Sequence, residues 1–386
     1  MKKYFILILF IIGICRTYSQ IPIVDAETNE SIPFVEIYTL NGDIIGITNI
    51  GGLLDRELLS LIKEKDSISF NHLSYKENLL AVEDVLNFRE IRLTPEKNLL
   101  QEVTLIGKRK KIKTFLKLKG YYRNYQTNDN EVKYFTDGIV EYYIPLNNKN
   151  KIWNRRIQER SFVNKKLEKE EKKRLKMVVI NTAGPPHPDK RFTKSFLEKE
   201  HYTFAHENKE TQSISLNGIK KGVVHMSPEK KTTSLQIQLI SKDQPKEYKG
   251  FGYNSIIVNN LGFAVYNTLS LDSLINKKLV YHKEIRKLRF KHKKDKEYQY
   301  IEGYHEFFIT EAEILSEFKK SFYSKWFGFN RNSDYVTEYW KDFEQHPFYK
   351  PLPTGVEWAL KNKLTELENT QEISKIYLDM GLIKEK

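Results

Sequence analysis

Short apolar runs broken by turn residues dominate the first quarter of the chain. Residues 21–24, 32–40, 44–48, 67–70, 89–93 and 102–106 each read as a strand. Asn41-Gly42-Asp43 marks a hairpin, because Asn and Gly both accept positive φ, and Gly51-Gly52 breaks the chain again. Residues 58–63 fit either a short helix or a strand. Pro33 stands near a strand start, and the spacing of these strands predicts a Greek-key β-sandwich over residues 20–106.

Beyond residue 120 the runs lengthen. Residues 134–144 predict a strand with a turn or bulge at Asp137-Gly138. Leu235, Ile237 and Leu239 alternate with polar neighbours as a half-buried strand does. Residues 248–258, 263–271, 279–290 and 298–308 continue as long strands with short breaks, the pattern of a curved antiparallel meander. Helical spacing appears at 165–176, where Glu and Lys alternate, and at 191–200.

Near the C-terminus, Thr310-Glu311-Ala312-Glu313 reads as a capping box opening a helix to about residue 323. Ser333 caps a helix over 334–344 that Pro347 stops, and 353–368 and 371–380 read as two more. No fixed period recurs, which disfavours a solenoid or propeller. The expected organisation is a leader at 1–19, a sandwich at 20–106, a basic linker at 107–119, a β-rich domain at 120–309 and a helical region at 310–386.

The leader changes the functional picture most. Lys2 and Lys3 precede an apolar run from 5 to 14, and Thr17-Tyr18-Ser19 offers small residues two apart before Gln20. This is the layout of a secretory signal peptide cleaved after Ser19. The apolar run is shorter than the roughly 20 residues that span a bilayer. The expected location is therefore the periplasm or the outer membrane. Cys15 is the single cysteine, and cleavage after Ser19 removes it, leaving neither a disulfide framework nor a thiol nucleophile. A lipid-attachment reading of Cys15 is opposed by Ile14, which stands where a small residue is expected.

Composition agrees with a folded β-rich chain. Its 386 residues include 23 Tyr and 22 Phe against 4 Met, and aromatics favour strands. The net charge is +14, with 64 basic and 50 acidic residues. A basic chain invites a nucleic-acid reading, but export and the intermixing of both signs oppose it. Lys108, Arg109, Lys110 and Lys111 form a basic run that fits either a charged hinge or peripheral contact with anionic lipid.

The first unit resembles the carboxypeptidase-like regulatory domain, a transthyretin-like sandwich of exported proteins. The residues that carry the resemblance are Val24-Asp25-Ala26-Glu27-Thr28-Asn29-Glu30-Ser31-Ile32-Pro33-Phe34-Val35, Asn41-Gly42, and Ile45-Gly46-Ile47-Thr48-Asn49. Asp66-Ser67-Ile68-Ser69-Phe70, Leu73-Ser74-Tyr75-Lys76, Ile91-Arg92-Leu93 and Leu100-Gln101-Glu102-Val103-Thr104-Leu105 continue it. Ser74 replaces a glycine usual in that family, Pro22-Ile23 replaces a Gly-x-Val, and Gly51-Gly52-Leu53 is a reduced form of its D-G-x-F. The resemblance implies a folding, docking or assembly module that is not itself a peptidase. The ending Leu100-Gln101-Glu102-Val103 also resembles the segment before the plug of TonB-dependent receptors. Too little chain follows for a plug and a large barrel, and aromatic girdles are not evident. Residues 134–143 resemble companion regions of exported proteins with this domain, which implies no particular chemistry.

Candidate chemistry is sparse. His305-Glu306 begins an H-E-x-x-H motif, but Ile309 stands where the second ligand belongs. His201 and His206 are five apart, which does not place them on one helical face, and His187 sits among prolines. Gly250-Phe251-Gly252 lacks the third glycine and following helix of a dinucleotide site, and fits a bulge instead. No G-x-S-x-G elbow occurs. A carboxylate pair of glycosidase type stays open, since such pairs assemble only in the fold.

Tyr253, Tyr266, Tyr298, Tyr300, Tyr304 and Trp326 are the candidate ligand-facing aromatics, with core packing as the competing account. No residue is assigned to catalysis, a cofactor or a metal. The sequence thus points to a mainly β protein with a helical C-terminus: an immunoglobulin- or transthyretin-like sandwich followed by a larger α+β domain with a curved antiparallel sheet. The expected role is a non-catalytic envelope binding or assembly protein whose partner is an envelope protein or outer-membrane component. An envelope glycan or peptide hydrolase, and an accessory part of a TonB-dependent transport system, are the alternatives.

Overall fold

A computed structural model describes residues 20–40, 44–62, 66–72, 74–96, 115–146, 152–175, 183–188, 192–250, 252–273, 276–316, 329–335 and 343–370. The leader expected at 1–19, Cys15, the strand expected at 102–106, Lys108, Arg109, Lys110, Lys111, Trp326 and the helix expected at 371–380 lie outside them. The protein is mainly β, with large antiparallel sheets. No helix among the described residues is long and apolar enough to cross a membrane.

The chain divides into two compact units, residues 1–98 with 350–358, and residues 99–349 with 359–386. The first contains β1 (Gln20–Asp25), β2 (Glu36–Thr39), β3 (Ile44–Ile47), β4 (Leu53–Asp55), β5 (Ser67–Asn71), β6 (Asn78–Ala81), α1 (Val82–Asn87) and β7 (Ile91–Leu93). They form a three-stranded sheet, β4-β1-β7, and a four-stranded sheet, β3-β2-β5-β6. Alternate residues from both sheets, among them Ile21, Ile23, Ile37, Ile68, Phe70 and Ile91, meet in one apolar cluster.

β2 and β3 pair antiparallel, and the turn residues expected between them, Asn41-Gly42-Asp43, lie outside the described residues. Residues 56–61 are a 3-10 helix started by Asp55, whose carboxylate accepts from the Glu57 amide. At Gly52 φ is +71°, and a Cβ there would press on the backbone of Ile32 and Ile23, so glycine is required.

The second unit is built on one antiparallel sheet. In chain order its strands are β8 (Phe115–Asn128), β9 (Glu131–Pro145), β10 (Trp153–Val163), β11 (Tyr202–His206), β12 (Thr211–Leu216), β13 (Ile219–Ser227), β14 (Thr232–Ile240), β15 (Lys246–Gly250), β16 (Tyr253–Tyr266), β17 (Leu279–His292), β18 (Gln299–Leu315) and β19 (Thr365–Glu366). Their order is β11-β12-β13-β14-β16-β17-β18-β8-β9-β10-β19, with β15 paired to the far half of β16. The helices are α2 (Lys165–Leu175) and α3 (Lys194–Lys199), and α4 (Thr354–Asn362) continues from the first unit into the second.

Side-chain alternation gives the large sheet two distinct faces. On the first, Leu118, Tyr142, Leu235, Ala264 and Phe307 join Phe192 and Leu197 in the main core. On the second, Tyr121, Tyr281 and Phe308 pack against Phe343, His346 and Phe348.

Several expectations change. Residues 310–315 are strand: β18 runs to Leu315, Thr310 is the extra residue of a bulge, and Glu311 and Glu313 stand opposite Lys119 and Lys117 of β8. The capping-box pattern also alternates, and pairing with β8 decides between the two. The linker expected at 107–119 is already β8 from Phe115 onward. Of the helix expected over 334–344, the start is extended instead, with Asp334 bridged to Glu159 of β10 and Ser333 to Asn369, and the end is a 3-10 turn, Phe343–Gln345; the helix expected at 353–368 is α4, ending at Asn362.

Three glycine-marked features also resolve differently. Asp137-Gly138 lies in continuous register on β9, and the nearby bulge is on β10 between Arg156 and Gln158. A Cβ on Gly138 would strike the Gln158 carbonyl and the Tyr122 ring. The breaks read near residue 260 are absent, because Gly262 leaves space for the Phe192 ring within an unbroken β16. Gly250 ends β15 opposite Tyr253, and Gly252, with φ of +81°, lies in the turn of the β15–β16 hairpin rather than in a bulge.

Candidate functional site

Register places a band of polar side chains across the first face. Ser161, Thr136, Asn124, His305 and Glu284 are cross-strand neighbours from β10 to β17. The segment 183–188 covers this band. Asn124 donates to the Gly184 carbonyl at 2.6 Å and the Tyr142 hydroxyl to the Pro186 carbonyl, while the Tyr266 hydroxyl donates to the Phe192 carbonyl at 2.6 Å. Arg286 donates to Glu284 at 2.9 Å. Arg156 donates to Glu159 at 2.8 Å, and burial still pushes that carboxyl upward against the pull of Arg156.

His305 belongs to this covered band. Burial lowers its pKa to about 4, against the opposing influence of Glu284 and its bond to Gly184, so the ring is neutral at pH 7. Glu306 points to the other face, where Arg123 and the Tyr281 hydroxyl hold it. Burial pushes its carboxyl up, but Arg123 and Lys283 outweigh that and keep it below the usual range. Consecutive strand residues cannot converge on one metal, which disposes of the half-motif geometrically. His201 and His206 are exposed, and His187 is exposed between buried Pro186 and Pro188.

On the second face, cations stand opposite carboxylates. Arg160 faces Asp137, Lys119 faces Glu311, Arg123 and Lys283 both face Glu306, and Lys287 faces Glu302. Measured contacts include Lys119–Glu311 at 2.7 Å and Lys287–Glu302 at 2.9 Å. Directly opposed unlike charges stabilise neighbouring strands and cancel the surface field.

The pattern stops at the end of β15–β18. Arg289 stands opposite Tyr300, and Lys291 lies alongside Tyr298, which precedes β18. The Lys291 Nζ is 4.4 Å and the Arg289 Cζ 5.6 Å from the Tyr298 ring centroid. Asn254 of β16 donates to the Tyr298 hydroxyl at 3.1 Å and to Glu247 at 2.8 Å. Among the described residues neither Arg289 nor Lys291 has a carboxylate partner. Tyr300 is 55% exposed, and its backbone is pinned by Asp129, which exchanges bonds with it at 2.7 and 2.8 Å.

The six aromatics singled out by sequence therefore do not form one site. Tyr266 and Tyr304 are buried, Tyr304 stacked on Tyr125 at 4.4 Å between centroids. Tyr253 packs on Phe290 on the first face. Tyr298 and Tyr300 share the second face, and Trp326 lies outside the described residues. Sequence reading missed Arg289, Lys291 and Asn254. The available signal was the strand alternation of Arg289 and Lys291, whose neighbours across the sheet no linear pattern reveals.

No family model and no curated protein matches the chain. Among solved structures, OccK2 (OpdF) of Pseudomonas aeruginosa aligns over 47% of this chain and 62% of its own length, at 6% identity and a TM-score of 0.10. The match thus spans less than two thirds of that protein, and at this score it carries no argument about fold or function.

Proposed function

We propose that this protein is a non-catalytic binding component of the cell envelope, exported by its leader, whose larger unit holds its ligand on the second face of the sheet at the end of β15–β18. The observation that supports this reading is the local change of chemistry there: cations paired with tyrosines on a face whose other cations meet carboxylates. An uncancelled charge beside an exposed, pinned aromatic ring supplies both attraction and a contact surface. The acid–base groups of the sheet interior are committed to each other instead, as in Arg123–Glu306–Tyr281 and Arg156–Glu159.

The test is cosedimentation of the purified mature chain with washed envelope fragments from the source cells. The wild type is expected in the pellet, and the double variant Tyr300→Ser/Lys291→Glu in the supernatant. Equal partition of the two proteins would defeat the assignment of the surface.

A further inference from the structure

We infer that the surface formed by Asn254, Arg289, Lys291, Tyr298 and Tyr300 binds an acidic polysaccharide, with carboxylates of uronate type on its sugars. The inference rests on the envelope-binding reading above and names the ligand class.

The argument begins with what each side chain offers. Tyr300 is 55% exposed and projects from the start of β18, where its backbone is fastened to Asp129. A rigid aromatic face of this kind stacks on the apolar C–H face of a sugar ring without a large ordering cost. Directly across the strand pair, Arg289 presents a planar fork of donors that matches a carboxylate. Lys291 adds a second cation two residues along the same strand and the same face. The Tyr298 ring holds both cations in place, at 4.4 and 5.6 Å, by attraction to its π face, which leaves their charge uncancelled. The Tyr298 hydroxyl accepts from the Asn254 amide at 3.1 Å, which leaves its own O–H to donate to a sugar hydroxyl, while Asn254, also bonded to Glu247, holds it in place.

The geometry also favours an extended ligand. Asn254 and Lys291 of β16 and β17, with Tyr298 just before β18, form one row, and Ile256, Arg289 and Tyr300 form the next. Neighbouring strands are about 4.8 Å apart, so each row is a strip roughly 10 Å long of alternating chemistry, which suits a chain lying across the strands. The β17–β18 turn adds Lys293, Lys294 and Lys296 against Asp295 and Glu297, a small net positive charge. A lipid bilayer would call for protruding apolar side chains, and among those named on this patch Ile256 is only half-buried within the strand.

The experiment measures binding of the purified mature chain to polygalacturonate, with neutral dextran, a phosphate-bearing mannan and vesicles of anionic phospholipid as comparison probes. The expected result is binding to polygalacturonate that weakens at least tenfold between 50 and 500 mM salt, as exposed charge contacts do, with dextran unbound. Tyr300→Ser and Lys291→Glu should each weaken binding about tenfold. Tyr248→Ser, an equally exposed tyrosine on the opposite face, should leave it unchanged, and matching thermal unfolding of the variants excludes misfolding.

Equal binding of dextran, or salt-insensitive binding, would overturn the acidic class. Tighter binding of the mannan or the vesicles would overturn the uronate or the glycan assignment respectively. Failure of every probe while the protein still cosediments with envelope fragments would overturn the ligand class alone, and loss of cosedimentation would overturn the underlying reading.

Discussion

At the scale of single residues, the most telling groups are two histidines. Burial lowers the pKa of both His305 and His346 to about 4, against a bond to Gly184 for the first and to the Ile309 carbonyl for the second. In the unfolded chain a histidine titrates near 6.5. Between pH 6.5 and 4 the unfolded state therefore binds more protons than the folded state, and stability falls as pH falls through that window. Each histidine can contribute up to about 3 kcal/mol of that loss. Urea unfolding between pH 4 and 7 should show the decline, and it should flatten in His305→Asn/His346→Gln. An unchanged slope in the double variant would refute the assignment.

At the scale of elements, α2 shows how a charged helix is anchored. Its alternating Glu and Lys suggest a helix solvated all round, yet Glu168 and Glu171 are buried. The reason is a bulge: Gln126 pairs with Tyr134 and Thr127 with Val132, so Lys133 is the extra residue of β9 and turns toward α2. There it pairs with Glu171, while Glu168 accepts from the Tyr134 hydroxyl at 3.1 Å and from Arg331 at 2.6 Å. Burial lowers the Lys133 pKa despite the opposing pull of Glu171.

A buried pair of this kind is costly to break and cheap to replace. Lys133→Met or Glu171→Leu alone should destabilise by about 3–5 kcal/mol, and the double variant should recover most of it. Additive losses in a denaturation cycle would show that the two side chains act independently.

At the scale of the whole molecule, the proposed export carries its own prediction at the N-terminus. The proposed cleavage after Ser19 would leave Gln20, the first residue of β1, as the new terminus. Intact-mass and N-terminal peptide analysis of the protein from its source cells should find a chain starting at Gln20. A chain retaining Met1 would remove the envelope from the proposal and with it the supply of envelope glycan. The two compact units bury separate apolar clusters, so changes confined to the larger sheet should leave the packing of the first unit's core unaltered.

The alternation of Leu235, Ile237 and Leu239, and the strand patterns of β17 and β18, were legible in sequence because strand period is a local property of the backbone. Those features determined a mainly β protein and the positions of most strands. They could not settle residues 310–315, where the capping-box residues suit a helix and a strand alike and only β8 selects the strand. Nor could they separate Tyr300 from Tyr304: both lie on β18, but Tyr304 stacks on Tyr125 whereas Tyr300 lies open opposite Arg289. Which cation meets a carboxylate and which meets a tyrosine depends on pairing between strands that are distant in sequence. The candidate site is therefore a product of register, which tertiary structure alone decides.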